Sequence, residues 1–435
     1  MIGLTAALLK REEEGRPIAL GIIGAGQMGR GLVCQTVWMK GITPRIVADR
    51  HPQRAMGVLL AAGIPREEIR LAATPSQAED WLAQGKYVAT DLAQAVTGCS
   101  QIDVVIDATG NTEAGARLAV DAIAAHRHII SLNVETDVVV GPLLHRMAQR
   151  EGVIYTGSAG DEPGAVMELY DFARALGFQV LALGKGKNNP VNRECTPDMV
   201  EEEAARKRMS PRMLTSFKDA SKTMVELAAI SNATGFLPAC PGGTGHPATP
   251  DQLASVYRLK EEGGILDRYQ VVDYVNGVAP GVYCIITSPL EEVHREVQYL
   301  LLGEGPNYAL YRPYHLASLE TPVSVARVVL QGEPSIVPAP GAPYSEVVTV
   351  AKRDLRPGEY LDGIGGYTAY GSLWSYREAQ AAGALPLGLV NDRTRVKVPI
   401  PKGTTITYSM VDLDPQSFLL RLRREQEQLA AQGRL

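Results

Sequence analysis

The sequence has few of the residues that build disulfide frameworks and structural metal sites. It contains five cysteines in 435 residues, and they are Cys34, Cys99, Cys195, Cys240 and Cys284. Their number is odd, their spacing is wide and no CxxC pair occurs, which excludes a disulfide-rich fold and a CxxC zinc or redox site. We expect reduced thiols. Cys195 and Cys240 lie in polar or glycine-rich segments, so their exposure decides whether either is a reactive nucleophile.

Long hydrophobic runs and a large excess of one charge are also missing. No segment approaches the roughly 18 uncharged apolar residues of a membrane span, and the start, MIGLTAALLKREEEGRP, has the reverse order of a signal peptide. Lys and Arg number 43 against 48 Asp and Glu, a net charge of −5. The chain therefore shows no basic footprint for nucleic acid or an anionic membrane. We expect a cytoplasmic protein with a small-molecule partner, a polyol, a sugar phosphate or a hydroxy acid.

What is present predicts several domains, because 435 residues exceed the usual 100 to 200 per domain. In residues 1–160, apolar runs such as IALGIIGAG, RIVAD and DVVIDATG alternate with helical stretches, which predicts an α/β Rossmann fold with a doubly wound parallel sheet. Residues 161–335 mix helices, strands and Gly- and Pro-rich loops and predict a central α+β catalytic domain. Four prolines between Gln331 and Glu346 mark a linker. Residues 336–435 predict a small β-rich domain with a terminal helix.

The clearest motif is a glycine loop that follows the first apolar run. Gly24, Gly26 and Gly29 in IIGAGQMGRG form a G-x-G-x-x-G at a strand-to-helix turn, with Gln27 and Met28 inside the loop. The first glycine permits the turn, the second lets a pyrophosphate approach the backbone, and the third lets the helix pack on the strand. Unpaired N–H groups of the helix start face the phosphates. The motif predicts a dinucleotide site.

Two further strand ends belong to the predicted cofactor site. RIVAD ends in Asp49, twenty residues after the loop, where a carboxylate accepts the ribose 2′-hydroxyl of NAD. Arg50 follows at once and Arg54 one turn later, and both could bind the 2′-phosphate of NADP, so these residues leave the two cofactors open. The residues after DVVID are Thr109, Gly110 and Asn111, which are expected to line the cofactor. For Asn111, a role as a turn former is the alternative.

Carboxylates cluster at the start of the second region. Asp161 and Glu162 are adjacent in SAGDEPG, and Glu168 lies two turns along the following helix. Three carboxylates near a strand end could hold a divalent ion or orient a substrate hydroxyl. An acidic N-cap and first turn, favoured by the helix dipole, is the alternative.

The strongest chemical signal is the segment LGKGKNNPVNRECTPD. Lys185 and Lys187 are separated by one glycine, so on an extended strand both amines point to the same side, with Asn188 close by. Two ammonium groups on one side can bind an anion or the oxygen of a carbonyl that is being reduced. Either lysine could donate the proton if repulsion and burial lower its pKa. A solvated basic turn is the alternative.

Two loops are candidate walls of a substrate pocket. CPGGTGHPATP contains three glycines, and with Thr244 and His246 its backbone N–H groups could form a phosphate-binding nest. In NYALYRPYHL, Arg312 suits bidentate anion recognition and His315 lies nearby. An inert surface loop and aromatic core packing, respectively, are the alternatives.

Taken in order, these motifs resemble the homoserine dehydrogenase-like oxidoreductases that carry a C-terminal SAF (antifreeze-like) domain, and among them the DXR-like, second-type 1-deoxy-D-xylulose 5-phosphate reductoisomerases. The resemblance rests on the glycine loop, DATGN, SAGDEPG, the Lys185 and Lys187 segment, and RDLRPGEYLDGIGGY, which is similar to SAF domains. It implies NADPH, a homodimer built through the middle domain, and a ketose phosphate rearranged and reduced to a branched polyol phosphate, a step of isoprenoid biosynthesis. Because Asp161 and Glu162 match no known metal triad, metal dependence stays open.

The sequence therefore predicts an NAD(P)H-dependent reductoisomerase, with NADP(H) favoured over NAD(H). Hydride would reach a carbonyl held by Lys185, Lys187 and Asn188, while Asp161 or Glu162 manages a proton or a metal. A simple dehydrogenase of homoserine or sugar-acid type is one alternative. A non-catalytic nicotinamide-binding regulatory protein is the other.

Overall fold

In the computed structural model, which describes residues 3–435, the polypeptide forms two compact units. The first contains the chain up to Gly164 together with Leu316–Val337 and Arg421–Leu435. The second contains Ala165–His315 and Pro338–Leu420. Each unit is therefore built from segments that are distant in sequence.

The first unit is organised around a parallel sheet of seven strands, in the order β3-β4-β2-β1-β5-β6-β7. The strands are β1 (Ile18–Ile23), β2 (Ile42–Ala48), β3 (Ile69–Ala72), β4 (Tyr87–Thr90), β5 (Val104–Asp107), β6 (His128–Ser131) and β7 (Tyr155–Gly157). Because β2 and β5 flank β1 on opposite sides, the winding reverses there, and ligands bind at the carboxyl ends of strands at such a switch point. The predicted Rossmann sheet is confirmed.

Six helices connect consecutive strands of this sheet: α2 (Gln27–Trp38), α3 (Pro52–Ala61), α4 (Pro75–Ala83), α5 (Gln94–Thr97), α6 (Thr112–Ala124) and α7 (Val134–Arg150). Helix α1 (Leu4–Glu13) precedes β1, and α14 (Thr321–Ala326) and most of α16 (Phe418–Ala431) join this unit from later in the chain. Since right-handed crossovers run in both directions from β1, the helices cover both faces. Ile18, Leu20 and Ile22 of β1 are fully buried, as expected for a strand packed on both faces.

The C-terminal helix contacts α7 beside an internal proline. Pro142 lies inside α7, where it has no N–H to donate. The amide of Gln426, fully buried, accepts from the Leu143 N–H at 3.1 Å and donates to the Val139 carbonyl at 3.0 Å. The Arg423 guanidinium donates to the same carbonyl at 3.1 Å. Side chains of α16 thus provide hydrogen-bond partners for backbone groups next to Pro142.

The second unit contains a mixed sheet in the order β10-β11-β8-β12-β13, with β9 paired to β11. Its strands are β8 (Gln179–Lys187), β9 (Leu237–Pro238), β10 (His246–Pro247), β11 (Val271–Asn276), β12 (Val282–Thr287) and β13 (Tyr308–Arg312). Strand β8 lies at the centre, parallel to β11 and antiparallel to β12. Every residue of β8 after Gln179 is buried.

Helices and a small β region complete this unit. The helices are α8 (Glu162–Ala175), whose first turn belongs to the first unit, α9 (Glu201–Arg206), α10 (Pro211–Lys218), α11 (Ser221–Thr234), α12 (Leu253–Val256), α13 (Glu291–Tyr299) and α15 (Tyr376–Ala381). Two antiparallel pairs form the C-terminal region, β14 (Ser345–Ala351) with β15 (Ala369–Ser375) and β16 (Arg395–Val396) with β17 (Val411–Asp412). The predicted α/β class with a small antiparallel sheet region near the C-terminus is confirmed.

The boundaries 1–160, 161–335 and 336–435 stay a prediction. Within residues 3–435, no helix combines the length and apolar character that crossing a bilayer requires.

Candidate functional site

The glycine loop lies at the carboxyl end of β1 and opens α2. Gly24 has φ +108°, and a Cβ there would lie 2.5 Å from the Ala108 carbonyl oxygen, so no other residue fits. A Cβ at Gly29 would collide with the Gly24 carbonyl oxygen. Gly26, by contrast, faces open space. The first and third glycines are thus required for packing, and the second leaves room for a ligand.

The start of α2 fits the phosphates of a dinucleotide. Gly26 is its N-cap, and no side chain in the described part of the chain caps the helix. Gln27 and Met28 are exposed at its first turn. The unpaired N–H groups and the positive end of the helix dipole therefore face outward, where an anion can bind.

Asp49 follows β2, and its carboxylate contacts the glycine loop. Oδ2 accepts from the Ala25 N–H at 3.0 Å, and Oδ1 accepts from the His51 N–H at 3.0 Å. Asp49 is half-buried, whereas Arg50 and Arg54 are exposed. The carboxylate therefore already holds backbone donors, while both guanidinium groups face solvent.

A buried polar network supports the turn after β5. Asp107, 1% exposed, accepts from the Thr109 N–H at 2.9 Å and the Thr109 hydroxyl at 2.6 Å. The Asn133 amide donates to Asp107 at 3.2 Å and to the Asn111 carbonyl at 2.9 Å. Burial raises the pKa of Asp107, although the bonds from Thr109 oppose this. These hydrogen bonds of Asp107 and Asn133 fix the conformation of the turn that contains Gly110.

Asn111 serves as the N-cap of α6. Its Oδ1 accepts from the Ala114 N–H at 2.9 Å. This is the alternative the sequence left open for Asn111. Asp107 and Asn133 were missed by sequence reasoning, although an aspartate at the end of an apolar strand was a usable signal.

Asp161 and Glu162 lie in the loop between β7 and α8. The loop is tied to the segment 316–337, since the Ser324 hydroxyl accepts from the Ala159 N–H at 2.8 Å and the Gly160 carbonyl accepts from the Ala317 N–H at 2.8 Å. Asp161 Oδ1 accepts from the Glu162 N–H at 3.1 Å, and both side chains are half-buried. Glu162 occupies the first turn of α8, where the helix dipole favours a carboxylate.

Lys185 and Lys187 lie on one face of β8, as their spacing predicts. Both are 6% exposed. Lys185 Nζ forms an ion pair with Glu226 of α11, which is 2% exposed. Lys187 Nζ donates to the Phe217 carbonyl at 2.5 Å, and no carboxylate in the described residues pairs with it. The alternative interpretation of this segment, a solvated basic turn, is wrong because both lysine side chains are buried.

The surroundings of Lys187 lower the pKa of its ammonium group below the ordinary value of a lysine. Burial and the neighbouring Lys185 charge lower its pKa from 10.5 to about 8, while Glu226 and Asp219 oppose the shift. An ammonium of this pKa is protonated at neutral pH and still gives up its proton readily. Asn188, directly after β8, is exposed.

A second buried ion pair lies near the lysines. Lys352, directly after β14, is 2.8 Å from Asp219, and its Nζ also donates to the carbonyls of Cys195 and Gly366 at 2.7 Å each. The Arg193 guanidinium donates to the Asp219 carbonyl at 2.7 Å. Sequence reasoning missed Glu226, Asp219, Lys352 and Arg193. A lone glutamate in the apolar run TMVELAAIS was the available signal.

The CPGGTG loop is held through Thr244. The Thr244 N–H donates to Asp273 Oδ1 at 2.8 Å, and its hydroxyl donates to Asp273 Oδ2. Asp273 is fully buried, and burial raises its pKa. Tyr257 also donates to this carboxylate, at 3.1 Å. The Thr244 hydroxyl is therefore already bonded to Asp273. His246 is half-buried and begins the short strand β10.

Arg312 and His315 lie at and just beyond the end of β13. Arg312 donates to Glu168 at 2.8 Å and lies over the Tyr314 ring at 4.6 Å, and its side chain is 11% exposed. His315 is half-buried. The pairing with Glu168 neutralises the guanidinium.

Neither candidate cysteine has the environment of a nucleophile. Cys195 is 1% exposed and Cys240 is half-buried. Burial raises the pKa of both thiols, so the thiolate is disfavoured. All five cysteines are free.

The central part of the chain matches a known catalytic domain. Residues 160–321 match the family model described as "Oxidoreductase DRL, catalytic domain". No curated protein sequence matches the chain significantly. On a chain whose first unit is a Rossmann domain with a glycine loop, this match makes the protein an NAD(P)-dependent oxidoreductase.

The chain also matches several solved structures, at low identity. A probable dehydrogenase from Thermotoga maritima has 13% identity and a TM-score of 0.41, over 73% of this chain and 90% of that chain. Scyllo-inositol dehydrogenase from Lactobacillus casei, with NAD(H) and scyllo-inositol bound, has 12% identity and a TM-score of 0.40, over 73% and 90%. DOX-P reductoisomerase with magnesium has 11% identity and a TM-score of 0.42, over 73% and 71%. The resemblances to homoserine dehydrogenases and to SAF domains stay predictions.

Proposed function

We propose that the protein uses NADP(H) to reduce the carbonyl group of a ketose phosphate, with Lys187 as the proton donor. The observation that carries the proposal is the buried Lys187 ammonium, which has no carboxylate partner within residues 3–435, whereas the neighbouring Lys185 is paired with Glu226. Burial also lowers the pKa of Lys187 to about 8. A buried, unpaired amine on a central strand costs stability, and such costs are typical of functional sites.

The chemistry assigns different work to the two lysines. When bound, the cofactor supplies a hydride to the carbonyl carbon. As the carbonyl π bond breaks, negative charge develops on oxygen, and the Lys187 ammonium transfers its proton there, which leaves a hydroxyl and a neutral amine. Lys185, which is paired with Glu226, supports the oxygen electrostatically. Asn188 contributes a neutral amide donor at the exposed end of the strand.

NADP(H) is favoured over NAD(H) by the residues after β2. Both Asp49 oxygens already accept backbone N–H groups, whereas Arg50 and Arg54 are exposed and can pair with a 2′-phosphate. The glycine loop, with Gln27 and Met28, and the turn formed by Thr109, Gly110 and Asn111 complete the proposed cofactor site.

The rearrangement that makes this enzyme a reductoisomerase is proposed from the resemblance and from the oxidoreductase DRL match. A simple dehydrogenase of homoserine or sugar-acid type is the second candidate, because hydride transfer with one proton donor suffices for plain reduction. A homodimer and three domains, 1–160, 161–335 and 336–435, belong to the same proposal.

Asp161 and Glu162 leave metal dependence open. Mg²⁺ keeps several waters and is commonly held by one or two protein carboxylates, so this pair is compatible with a site but does not establish one. We therefore route no step through a metal. If chelation abolishes turnover, a metal role for these carboxylates must be restored.

Steady-state NADPH oxidation tests the proposal with 1-deoxy-D-xylulose 5-phosphate, an aldehyde of the homoserine pathway and sugar acids. Lys187→Met should lower kcat by about 10²- to 10⁴-fold, the usual contribution of a general acid. The variant should still bind NADPH, measured as an increase in the fluorescence of the bound cofactor. Lys260→Met, on an exposed lysine paired with Asp267, is the matched control. Wild-type turnover should fall above about pH 8, as Lys187 loses its proton.

Equal turnover by Lys187→Met and the control would contradict the proposal. NADPH binding without turnover of any of these substrates would favour the non-catalytic nicotinamide-binding protein instead.

A further inference from the structure

One arginine in the second unit has unused hydrogen-bonding capacity. Arg193, in the segment that follows β8, donates through Nη1 to the carbonyls of Asp219 at 2.7 Å and Gly371 at 3.3 Å. Its guanidinium lies over the Tyr370 ring, 4.9 Å from the centroid. Nε and Nη2 have no hydrogen-bond partner within residues 3–435. The plane is thus fixed on one side and its other edge remains available, the arrangement that suits a phosphate.

Two hydroxyl groups at the Gly242–Gly245 segment, those of Ser372 and Tyr274, are likewise unused. A Cβ placed at Gly242 would lie 3.3 Å from Ser372 Oγ and 3.9 Å from Arg193 Nη2, so both atoms border the same space. Tyr274 packs against the same loop, since a Cβ at Gly245 would lie 2.6 Å from its hydroxyl oxygen. Neither hydroxyl forms a hydrogen bond with another group in the described part of the chain.

The tyrosine links this space to the lysines. Tyr274 of β11 is in register with Lys185 of β8, and neighbours in register on adjacent strands point to the same face of a sheet. Burial raises the pKa of Tyr274, so its hydroxyl remains a donor at neutral pH. The Arg193 charge in turn contributes to lowering the pKa of Lys187. Tyr274 and both lysines therefore share one face of the sheet. Arg193 and Lys187 donate to carbonyl groups that are close in the chain, those of Asp219 and Phe217.

We propose that Arg193, Tyr274 and Ser372 form the binding site for a phosphate monoester group of the substrate, next to residues Gly242–Gly245 of the CPGGTG loop. A tetrahedral dianion accepts hydrogen bonds in several directions, which one guanidinium edge and two hydroxyl groups provide. This replaces the roles predicted for Thr244 and Arg312, because Thr244 donates to Asp273 and Arg312 pairs with Glu168. The inference rests on the proposed function only in identifying the phosphate as part of a carbonyl substrate.

Isothermal titration calorimetry with inorganic phosphate tests the site on the full-length protein. Arg193→Met should weaken phosphate binding at least about tenfold, and Tyr274→Phe or Ser372→Ala about threefold each, as expected for one charged and two neutral hydrogen-bond donors. Arg258→Met is the matched control, because Arg258 is also half-buried and donates to a backbone carbonyl, that of Gly305, at 2.6 Å. It should bind phosphate as the wild type does.

The hydroxyl variants keep the test decisive if Arg193→Met fails to fold, since each removes one oxygen and no backbone contact. Acetate titrations distinguish the two anions, and binding of acetate that is tighter than phosphate and depends on Arg193 would overturn the phosphate assignment. Phosphate binding that is unchanged in Arg193→Met or in both hydroxyl variants would overturn the site.

Lys187→Met separates this inference from the proposed function. It should still bind phosphate while losing turnover. If no carbonyl compound is reduced by the wild type but phosphate binding depends on Arg193, the proposed reaction fails and the anion site stands. If turnover depends on Lys187 but the KM of a phosphorylated substrate is the same in Arg193→Met, the site fails and the reaction stands.

Discussion

The glycine loop of the first unit acts through backbone groups, whereas the lysine site of the second unit acts through charged side chains. Gly24, Gly26 and Gly29 work through the backbone, by permitting close approach and leaving helix N–H groups exposed. Lys185 and Lys187 work through charged side chains, which are buried and set by partners on other elements. A site made of backbone groups lowers the stability of the ligand-free fold little. A site of buried charges lowers it more unless opposite charges lie nearby.

Acidic residues of the two units show the same contrast. In the second unit, the buried Glu226 and Asp219 each have a lysine partner. In the first unit, the half-buried Asp137 of α7 has no basic partner among residues 3–435, and desolvation raises the pKa of its carboxyl to about 6. Removing charge should therefore have opposite effects in the two units.

The largest expected effect is in the second unit. Lys352→Met leaves the fully buried Asp219 carboxylate unpaired, which should lower the free energy of unfolding by about 3–5 kcal/mol. Urea denaturation measures it. Lys397→Met, on an exposed lysine 3.6 Å from Asp412, is the control and should change stability by about 0–1 kcal/mol. Equal effects of the two substitutions would break the comparison.

The opposite sign is expected for Asp137→Asn. Because the folded-state pKa is raised from 3.8 to about 6, the ionised carboxyl destabilises the fold, and the loss develops as pH rises through about 6. Asparagine should increase the free energy of unfolding by about 1–3 kcal/mol at pH 8, at about 1.4 kcal/mol per pKa unit, and by nothing near pH 3. Asp80→Asn, on an exposed residue of α4, controls for the charge change. A gain that is the same at both pH values would refute this account of Asp137.

The smallest effect is expected at the glycine loop. Gly26→Val adds a side chain in open space, so the protein should fold normally while NADPH binding weakens about tenfold, or about 1.4 kcal/mol. Fluorescence titration measures the affinity. Gly57→Val on α3, where an added Cβ also meets nothing, should leave NADPH binding unchanged. If Gly26→Val binds NADPH as tightly as Gly57→Val does, the loop does not hold the cofactor.

The same contrast explains what could be predicted from the sequence. Glycine spacing after a strand states a backbone geometry, so the Rossmann sheet and the position of the loop were predictable. The lysine spacing predicted a shared face on β8. The partners were not predictable, because Glu226, Asp219, Lys352 and Arg193 come from segments separated by up to 160 or so positions and meet only in the folded unit. Thr244 and Arg312 were assigned to a substrate because their partners, Asp273 and Glu168, were invisible in the pattern.

The central claim, that Lys187 is poised as a proton donor, is tested most directly by NMR titration of the lysine ammonium groups in the full-length protein, with Lys187→Met to assign the signal. The account predicts a Lys187 midpoint near pH 8, which moves lower in Glu226→Gln because a neighbouring negative charge is lost. A Lys187 midpoint close to 10.5, unaffected by Glu226→Gln, would contradict it.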